Sequence, residues 1–297
     1  MSKRALVTGS EGFLGRHFTA ELLSRGYTVT GLDTKITKSL DCRTYFATRA
    51  GNAARYDLVV HCAAVVGGRE TIEGDPLATA VNLELDAAMF AWAARAKPGR
   101  VLYISSSAAY PISFQRAGMG YSLQEDDVWG SDGDIEPDEI YGWSKVMGEV
   151  LADKLRAAGV QVTVVRPFSG YGSDQDLSYP FPAFIERARQ KLDPFEVWCG
   201  SCVRDFIHVD DVVAGALAVA ESGTELPVNL CTGVVTSFLD LAQLVMREAG
   251  YEGEILERAD KPAGVAYRVG DPTRMLSFYQ PKVTLEEGIR RALKSPR

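Results

Sequence analysis

The sequence predicts an α/β protein, a doubly wound parallel sheet followed by a smaller C-terminal lobe. Three observations carry that expectation. Short, almost wholly apolar segments alternate with helical ones up to about residue 170, and strands of that kind belong to a parallel sheet covered on both faces. A glycine-rich turn follows the first apolar segment. Beyond it the alternation loosens, and proline and aromatic residues gather at 179–182.

Arg4–Thr8 (RALVT) reads as the first strand. Phe13 to Arg25 carries Phe13, Leu14, Phe18, Leu22 and Leu23 at helical spacing, and Gly26 ends it. Thr28–Leu32 is the second strand. Ile36–Leu40 is expected as a short third strand and Asp57–Cys62 (DLVVHC) as the fourth. A long alanine-rich helix covers Leu77–Ala96, and Arg100–Ser105 is the next strand. Tyr141–Ala158 is a helix with Val146, Val150, Leu151 and Leu155 on one face, and Val160–Arg166 follows as a strand. Right-handed crossovers wind these units into one sheet. Helices are expected over Pro182–Gln190, Val209–Glu221 and Ser237–Ala249, with the strand Val228–Cys231 returning to the main sheet.

Composition narrows the classes. The 297 residues fit two domains, or one large α/β unit with an appended lobe. Hydrophobic residues at 46% and charged residues at 24% exclude a disordered chain, a collagen-like repeat and a short disulfide scaffold. A net charge of −7 without a Lys/Arg block argues against general binding of nucleic acid or anionic membrane. No apolar run approaches the roughly 18 residues of a membrane span, and the N-terminal residues, glycine-rich by Gly9, do not read as an export leader.

The five cysteines, at 42, 62, 199, 202 and 231, point to a reducing cytoplasm. Cys199-Gly-Ser-Cys202 reads as chance spacing: a second pair for zinc is missing, and a redox pair would open a helix. The acidic run Glu125, Asp126, Asp127, Asp132, Asp134, Glu136, Asp138 and Glu139 lacks histidine and ligand spacing. It is expected to be a solvated loop, and no metal is expected.

Thr8-Gly9-Ser10-Glu11-Gly12-Phe13-Leu14-Gly15 joins the first strand to the first helix. Glycines there allow a tight turn and close approach of the backbone to a ligand, and the helix start offers free N–H groups to a pyrophosphate, as in a Rossmann fold. Asp33, just past the second strand, is placed to accept from adenosine ribose hydroxyls and to repel a 2′-phosphate, which favours NAD over NADP. Asp41 and Cys42 are candidates for the adenine edge.

Tyr141-Gly-Trp-Ser-Lys145 puts a phenol and an ammonium four residues apart on one helical face. A free phenol titrates near pH 10 and is a poor base at neutrality, but a neighbouring cation favours its phenolate. Tyr141 is thus a candidate for exchanging a proton with a sugar or alcohol hydroxyl. Ser105-Ser106-Ser107, closing the preceding strand, offers hydroxyls beside it.

With these segments in view, the chain resembles the extended short-chain dehydrogenase/reductases, in particular the NAD-dependent epimerase/dehydratase family acting on nucleotide sugars. The matching segments are TGSEGFLG at 8–15, HCAA at 61–64, ISSSAAYP at 104–111, YGWSK at 141–145, RPFSGYG at 166–172, RDFIHVDDV at 204–212 and RVGDPTR at 268–274. The resemblance implies Ser106, Tyr141 and Lys145 as the catalytic set. It implies a cofactor site lined by Gly9, Gly12, Phe13, Leu14, Gly15, Asp33, Cys62, Ala63, Ala64, Ser105, Tyr141, Lys145, Pro167 and Phe168. Arg204 and Arg268 match arginines that grip a nucleotide diphosphate, and Val66, Gly67, Ser107 and Ser169 fall on the substrate side. It further implies a homodimer. Residues 1–170 with about 204–235 would form the NAD-binding unit, and about 171–203 with 236–297 the nucleotide-sugar lobe.

Family dehydratases and 3,5-epimerases carry Glu or Cys two residues before the tyrosine that stands here at 110; this chain has Ala108, and Ser107 where dehydratases have Asp. The comparison disfavours elimination and C3/C5 epimerisation and leaves hydride chemistry, expected at C4: an epimerase with retained NAD, or alternatively a 4-ketoreductase or dehydrogenase. Val65-Val66-Gly67-Gly68 and the PFEVWCG segment at 194–200 resemble the GDP-sugar branch. The remote alternative is a non-catalytic NAD-binding sensor.

Overall fold

The computed structural model describes residues 2–48, 56–67, 76–130, 135–258, 260–261 and 263–295. In chain order the main elements are β1 (Arg4–Thr8), α1 (Phe13–Ser24), β2 (Thr28–Leu32), α2 (Cys42–Thr48), β3 (Leu58–His61), α3 (Pro76–Ala96), β4 (Arg100–Ile104), α4 (Glu139–Ala157), β5 (Gln161–Pro167), α5 (Pro180–Arg189), α6 (Val209–Ser222), β6 (Val228–Leu230), α7 (Phe238–Ala249) and α8 (Leu285–Lys294). The six sheet strands run β6-β5-β4-β3-β1-β2, every neighbouring pair parallel. β1 lies between β2 and β3, so the chain reverses its direction of winding there. The carboxyl ends of β1 and β3 therefore open the crevice in which doubly wound sheets bind ligands.

Alternation along β1 sorts the layers. Ala5 and Val7 face a core shared with Phe18 and Leu22 of α1 and Val212 and Ala216 of α6. Leu6 faces the opposite core, built from Phe46 of α2, Met89 and Trp92 of α3 and Leu155 of α4. Burying a side chain such as Phe18 is worth about 1.5–3 kcal/mol. A third core holds Tyr171, Phe181, Phe184, Phe195, Leu241, Val245 and Ile289. It draws on segments from both sides of β6, the expected return of 228–231 to the main sheet. Among the described residues no helix is long and apolar enough to cross a membrane.

Three expectations are corrected. Ile36–Leu40 is not a strand: Lys38–Leu40 forms a single 3₁₀ turn, with the Thr37 hydroxyl capping it, and leads into α2. Its polar residues satisfy one another locally instead of extending the sheet past β2.

The CxxC pair is not idle spacing. Cys199 adopts a positive φ of 48°, and Cys202 N–H donates to Cys199 O at 2.9 Å. That turn closes the two sulfurs into a disulfide, while Cys42, Cys62 and Cys231 are free.

The acidic run is only partly solvated. Glu125 is 5% exposed and accepts from Asn229 N–H at 3.0 Å; burial pushes its carboxyl up. Asp138 is buried and ion-paired to Arg268. Asp132, Asp134 and Gly68 lie outside the described residues.

Candidate active site

The turn after β1 leaves no room for side chains. Gly9 has φ +66°, and a Cβ on it would stand 2.8 Å from Ala63 N. A Cβ on Gly15 would collide with Gly9 O, and one on Gly12 would stand 3.0 Å from it. Phe13 and Leu14 open α1 directly behind. Asp33 accepts from the backbone N–H groups of Glu11 at 2.9 Å and Lys35 at 2.8 Å. A carboxylate has about four lone-pair sites, so its remaining acceptor capacity suits ribose hydroxyls. Bare backbone at the switch point, a helix N-terminus and this acid together fit a dinucleotide.

The second wall follows β3. Ala63 N–H donates to Thr8 Oγ1 at 3.2 Å, and Asn82 of α3 clasps Val65 through both N–H (2.6 Å) and C=O (3.0 Å). Cys62, Ala63, Ala64 and Gly67 are half-buried along this stretch and Val66 is exposed. Burial pushes the Cys62 thiol up to about 12, against the charge of Lys145.

Tyr141 and Lys145 lie on the first turns of α4. Lys145 Nζ sits 5.7 Å from the centre of the Tyr141 ring and donates to Ile104 O at 3.0 Å. The approach of α4 to the sheet depends on Gly142, where a Cβ would collide with Ala108 O. That carbonyl also accepts from Asp138 N–H at 2.9 Å. Ser106 caps the 3₁₀ turn Ser107–Ala109, accepting from Ala108 N–H at 3.1 Å. The serine turn and the tyrosine helix are thus packed against each other, with Ser107 and Ala108 buried between them. Pro167 ends β5, and Phe168 and Ser169 follow, the latter donating to Asp205 O at 3.0 Å.

Ser105, Asp41 and Cys42 are committed elsewhere. Ser105 Oγ donates to Glu149 at 2.5 Å, so its hydroxyl is turned beneath α4. Asp41 is held by Arg43 at 2.6 Å, and hydrogen bonds from Arg43 hold its carboxyl below the usual range against burial. Cys42 is packed in the core, its thiol pushed up to about 12 by burial. Arg204 and Arg268 are register partners on neighbouring parallel strands, which aims both at one side. Arg204 donates to Val203 O at 2.8 Å and lies 5.2 Å over the Phe238 ring. Arg268 bonds Gln115 at 2.5 Å and Asp138 at 2.7 Å.

Several groups behind the site are assembled from distant segments. Arg166 grips Glu149 through two bonds of 2.8 and 2.6 Å. Asp205 accepts from Thr232 and Gly233, holding β6's exit loop; burial still pushes its carboxyl up. His61, Asp86 and Tyr103 form a buried cluster under Lys145. Only partner geometry reveals these groups, because their members are far apart in sequence.

Fold and site together define an NAD-dependent enzyme, with Tyr141 and Lys145 side by side on one helix. The chain belongs to the NAD dependent epimerase/dehydratase family, whose model matches residues 5–231. It is 28% identical to GDP-L-fucose synthase of Escherichia coli K12, over 97% of this chain and 95% of that protein. It is 29% identical to dTDP-4-dehydro-6-deoxy-D-allose reductase of a Streptomyces species, over 92% of this chain and 89% of that one. In fold it matches the UDP-glucose 4-epimerase of Thermus thermophilus in complex with NAD, with a TM-score of 0.80, 24% identity, and coverage of 98% and 97% of the two chains.

Proposed function

We propose that this chain is an NAD-dependent nucleotide-sugar epimerase acting at C4 through a transient 4-ketosugar. The observation that carries the reading is the packing of the Ser106 turn against the Tyr141–Lys145 helix, with Ala108 at the position where a second acid or base would stand. An alanine cannot abstract a proton beside a carbonyl, so the residues present serve oxidation and reduction at one carbinol.

Ser106 holds the C4 hydroxyl. Tyr141 takes its proton and later returns it. Lys145 favours the phenolate and binds the nicotinamide ribose. NAD, when bound, accepts the hydride and gives it back. The cradle is Gly9, Gly12, Phe13, Leu14, Gly15 and Asp33, with Cys62, Ala63, Ala64, Pro167 and Phe168 lining it. Arg204 and Arg268 hold the diphosphate, with Val66, Gly67, Ser107 and Ser169 toward the sugar. Residues 1–170 and about 204–235 form the cofactor unit, and about 171–203 and 236–297 the substrate lobe.

The second reading, a 4-ketoreductase or dehydrogenase, is supported on its reductase side by the two relatives named as a fucose synthase and a 4-dehydro sugar reductase. The test is a panel of UDP-, GDP-, dTDP- and CDP-hexoses, with products resolved by chromatography and NADH followed by absorbance. Epimer without net NADH is expected, and Tyr141→Phe loses about 10³-fold or more in turnover while keeping NAD binding. Net NADH, or turnover only of a ketosugar with added NADH, moves the assignment to the second reading. Full activity of Tyr141→Phe removes both.

The same proposal includes a homodimer, supported by Leu83 on α3 and Trp143 and Met147 on α4, all exposed on neighbouring helices. Light scattering that returns the mass of one copy would end that part. It also includes a cytoplasmic setting, which the free thiols of Cys42, Cys62 and Cys231 support and the Cys199–Cys202 disulfide does not.

A further inference from the structure

We propose that Asp86 is a positioning residue for Lys145: its carboxylate is the buried counter-charge that balances the ammonium beneath Tyr141 and ties it to the cofactor loop at 61–64. The inference rests on the reading of Tyr141 and Lys145 as the proton-transfer pair, and adds a member that touches neither cofactor nor sugar.

Asp86 ends a chain of buried hydrogen bonds. The Ala63 amide donates to Thr8 Oγ1 at 3.2 Å, Thr8 Oγ1 lies 2.8 Å from His61 Nδ1, and His61 Nε2 lies 3.1 Å from Asp86 Oδ1. The Tyr103 hydroxyl donates to Asp86 Oδ2 at 2.5 Å. Both carboxylate oxygens are thus engaged, and Asp86 is only 1% exposed. A buried carboxylate needs a cation nearby. Burial followed by the Asp86 charge drives the Tyr103 phenol well above its ordinary range.

The cation is Lys145, 4% exposed and 5.2 Å from the Tyr103 ring centre. Burial alone would raise the Asp86 carboxyl; the Lys145 charge, then the bonds from His61 and Tyr103, hold it below its usual value. The other groups facing this pocket are already matched or neutral. Glu149, one turn further along α4, is bound to Arg166 from β5 and to Ser105. The Cys62 thiol is pushed up to about 12 by burial. The Tyr179 phenol, ahead of α5, is pushed up by burial and by Tyr141. Among the described residues, Asp86 is thus the carboxylate left to balance Lys145.

The sign of the effect is fixed. Removing the carboxylate takes a negative charge from under Tyr141 and leaves the ammonium uncompensated, and both changes favour phenolate. The test is a near-ultraviolet phenolate titration of the purified chain, with and without NAD, each variant read against the same variant carrying Tyr141→Phe. Asp86→Asn, or the neutral and similarly sized Asp86→Thr, moves the Tyr141 signal to lower pH by about half a unit or more. Tyr103→Phe, which keeps the carboxylate but strips one donor from it, moves the signal to higher pH.

A folded Asp86 variant with an unmoved or raised midpoint overturns the proposal. Should neither Asp86 variant fold, Tyr103→Phe decides alone: no shift, or a downward one, overturns it. A parent protein in which Tyr141→Phe leaves turnover intact would instead defeat the underlying assignment of the pair.

Discussion

Lys145 and Arg166 are two cations buried beside the same helix, and their surroundings differ. Arg166, wholly buried on β5, has its guanidinium filled: two bonds to Glu149, one of 2.6 Å to Glu125 O and one of 3.0 Å to Tyr110 OH. Among the described residues Lys145 donates to one carbonyl, Ile104 O, and lies near the rings of Tyr103 and Tyr141. A saturated ion pair in a dry interior is architecture, since its charges are spent on each other. An under-coordinated ammonium keeps its field for whatever enters the cleft. On the proposed reading, the same residue class does structural work on the strand and chemical work on the helix.

The contrast can be broken by exchanging the effects of paired substitutions. The largest effect belongs to Arg166→Met, which strands Glu149 without a partner and is expected to cost about 3–5 kcal/mol in urea unfolding. The molecules that remain folded should keep their turnover. Lys145→Met is expected to lower turnover by about 10²-fold or more, and also to destabilise the fold because it leaves the buried Asp86 without its cation. If Lys145→Met keeps full turnover, the division of roles is wrong.

The smallest effect lies at the surface, where Asp174 bonds Arg16 at 2.8 Å and His17 at 3.1 Å and so ties α1 to the loop after Tyr171. Burial would raise its carboxyl, but the bonds from His17 and Arg16 hold it below the ordinary range. A depressed carboxyl contributes stability above its unfolded value, near about pH 3.9, and loses that contribution as the pH falls toward its folded one. With the pair part-exposed, Asp174→Asn should cost under about 1 kcal/mol at pH 7. That difference should shrink in unfolding curves recorded below about pH 3.9.

The legible parts of this molecule are the local ones. Periodicity found the six sheet strands and most of the helices because each is a run of neighbours, but it did not find α2 and α8. The glycine turn and the Tyr141–Lys145 spacing were visible because one turn of helix relates their members. The Arg166–Glu149 pair and the Asp86 cluster were not, because two separate elements meet in the first and three in the second. The link from β2 to β3 was misread at Ile36–Leu40, where Thr37 and Ser39 close a turn that an apolar pattern does not encode. The cysteine pair failed for a similar reason: a positive φ at Cys199, not the spacing, brings the sulfurs together.

Gly148 has a mechanical consequence. The Tyr103 hydroxyl lodges against α4 at this residue, where any Cβ would collide with it. A slip of α4 by one residue, about 1.5 Å along and 100° around its axis, would bring Met147 or Glu149 onto that spot. The phenol thereby acts as a detent, indexing the helix in both translation and roll. The aim of Tyr141, two turns away, is set by a missing methyl group.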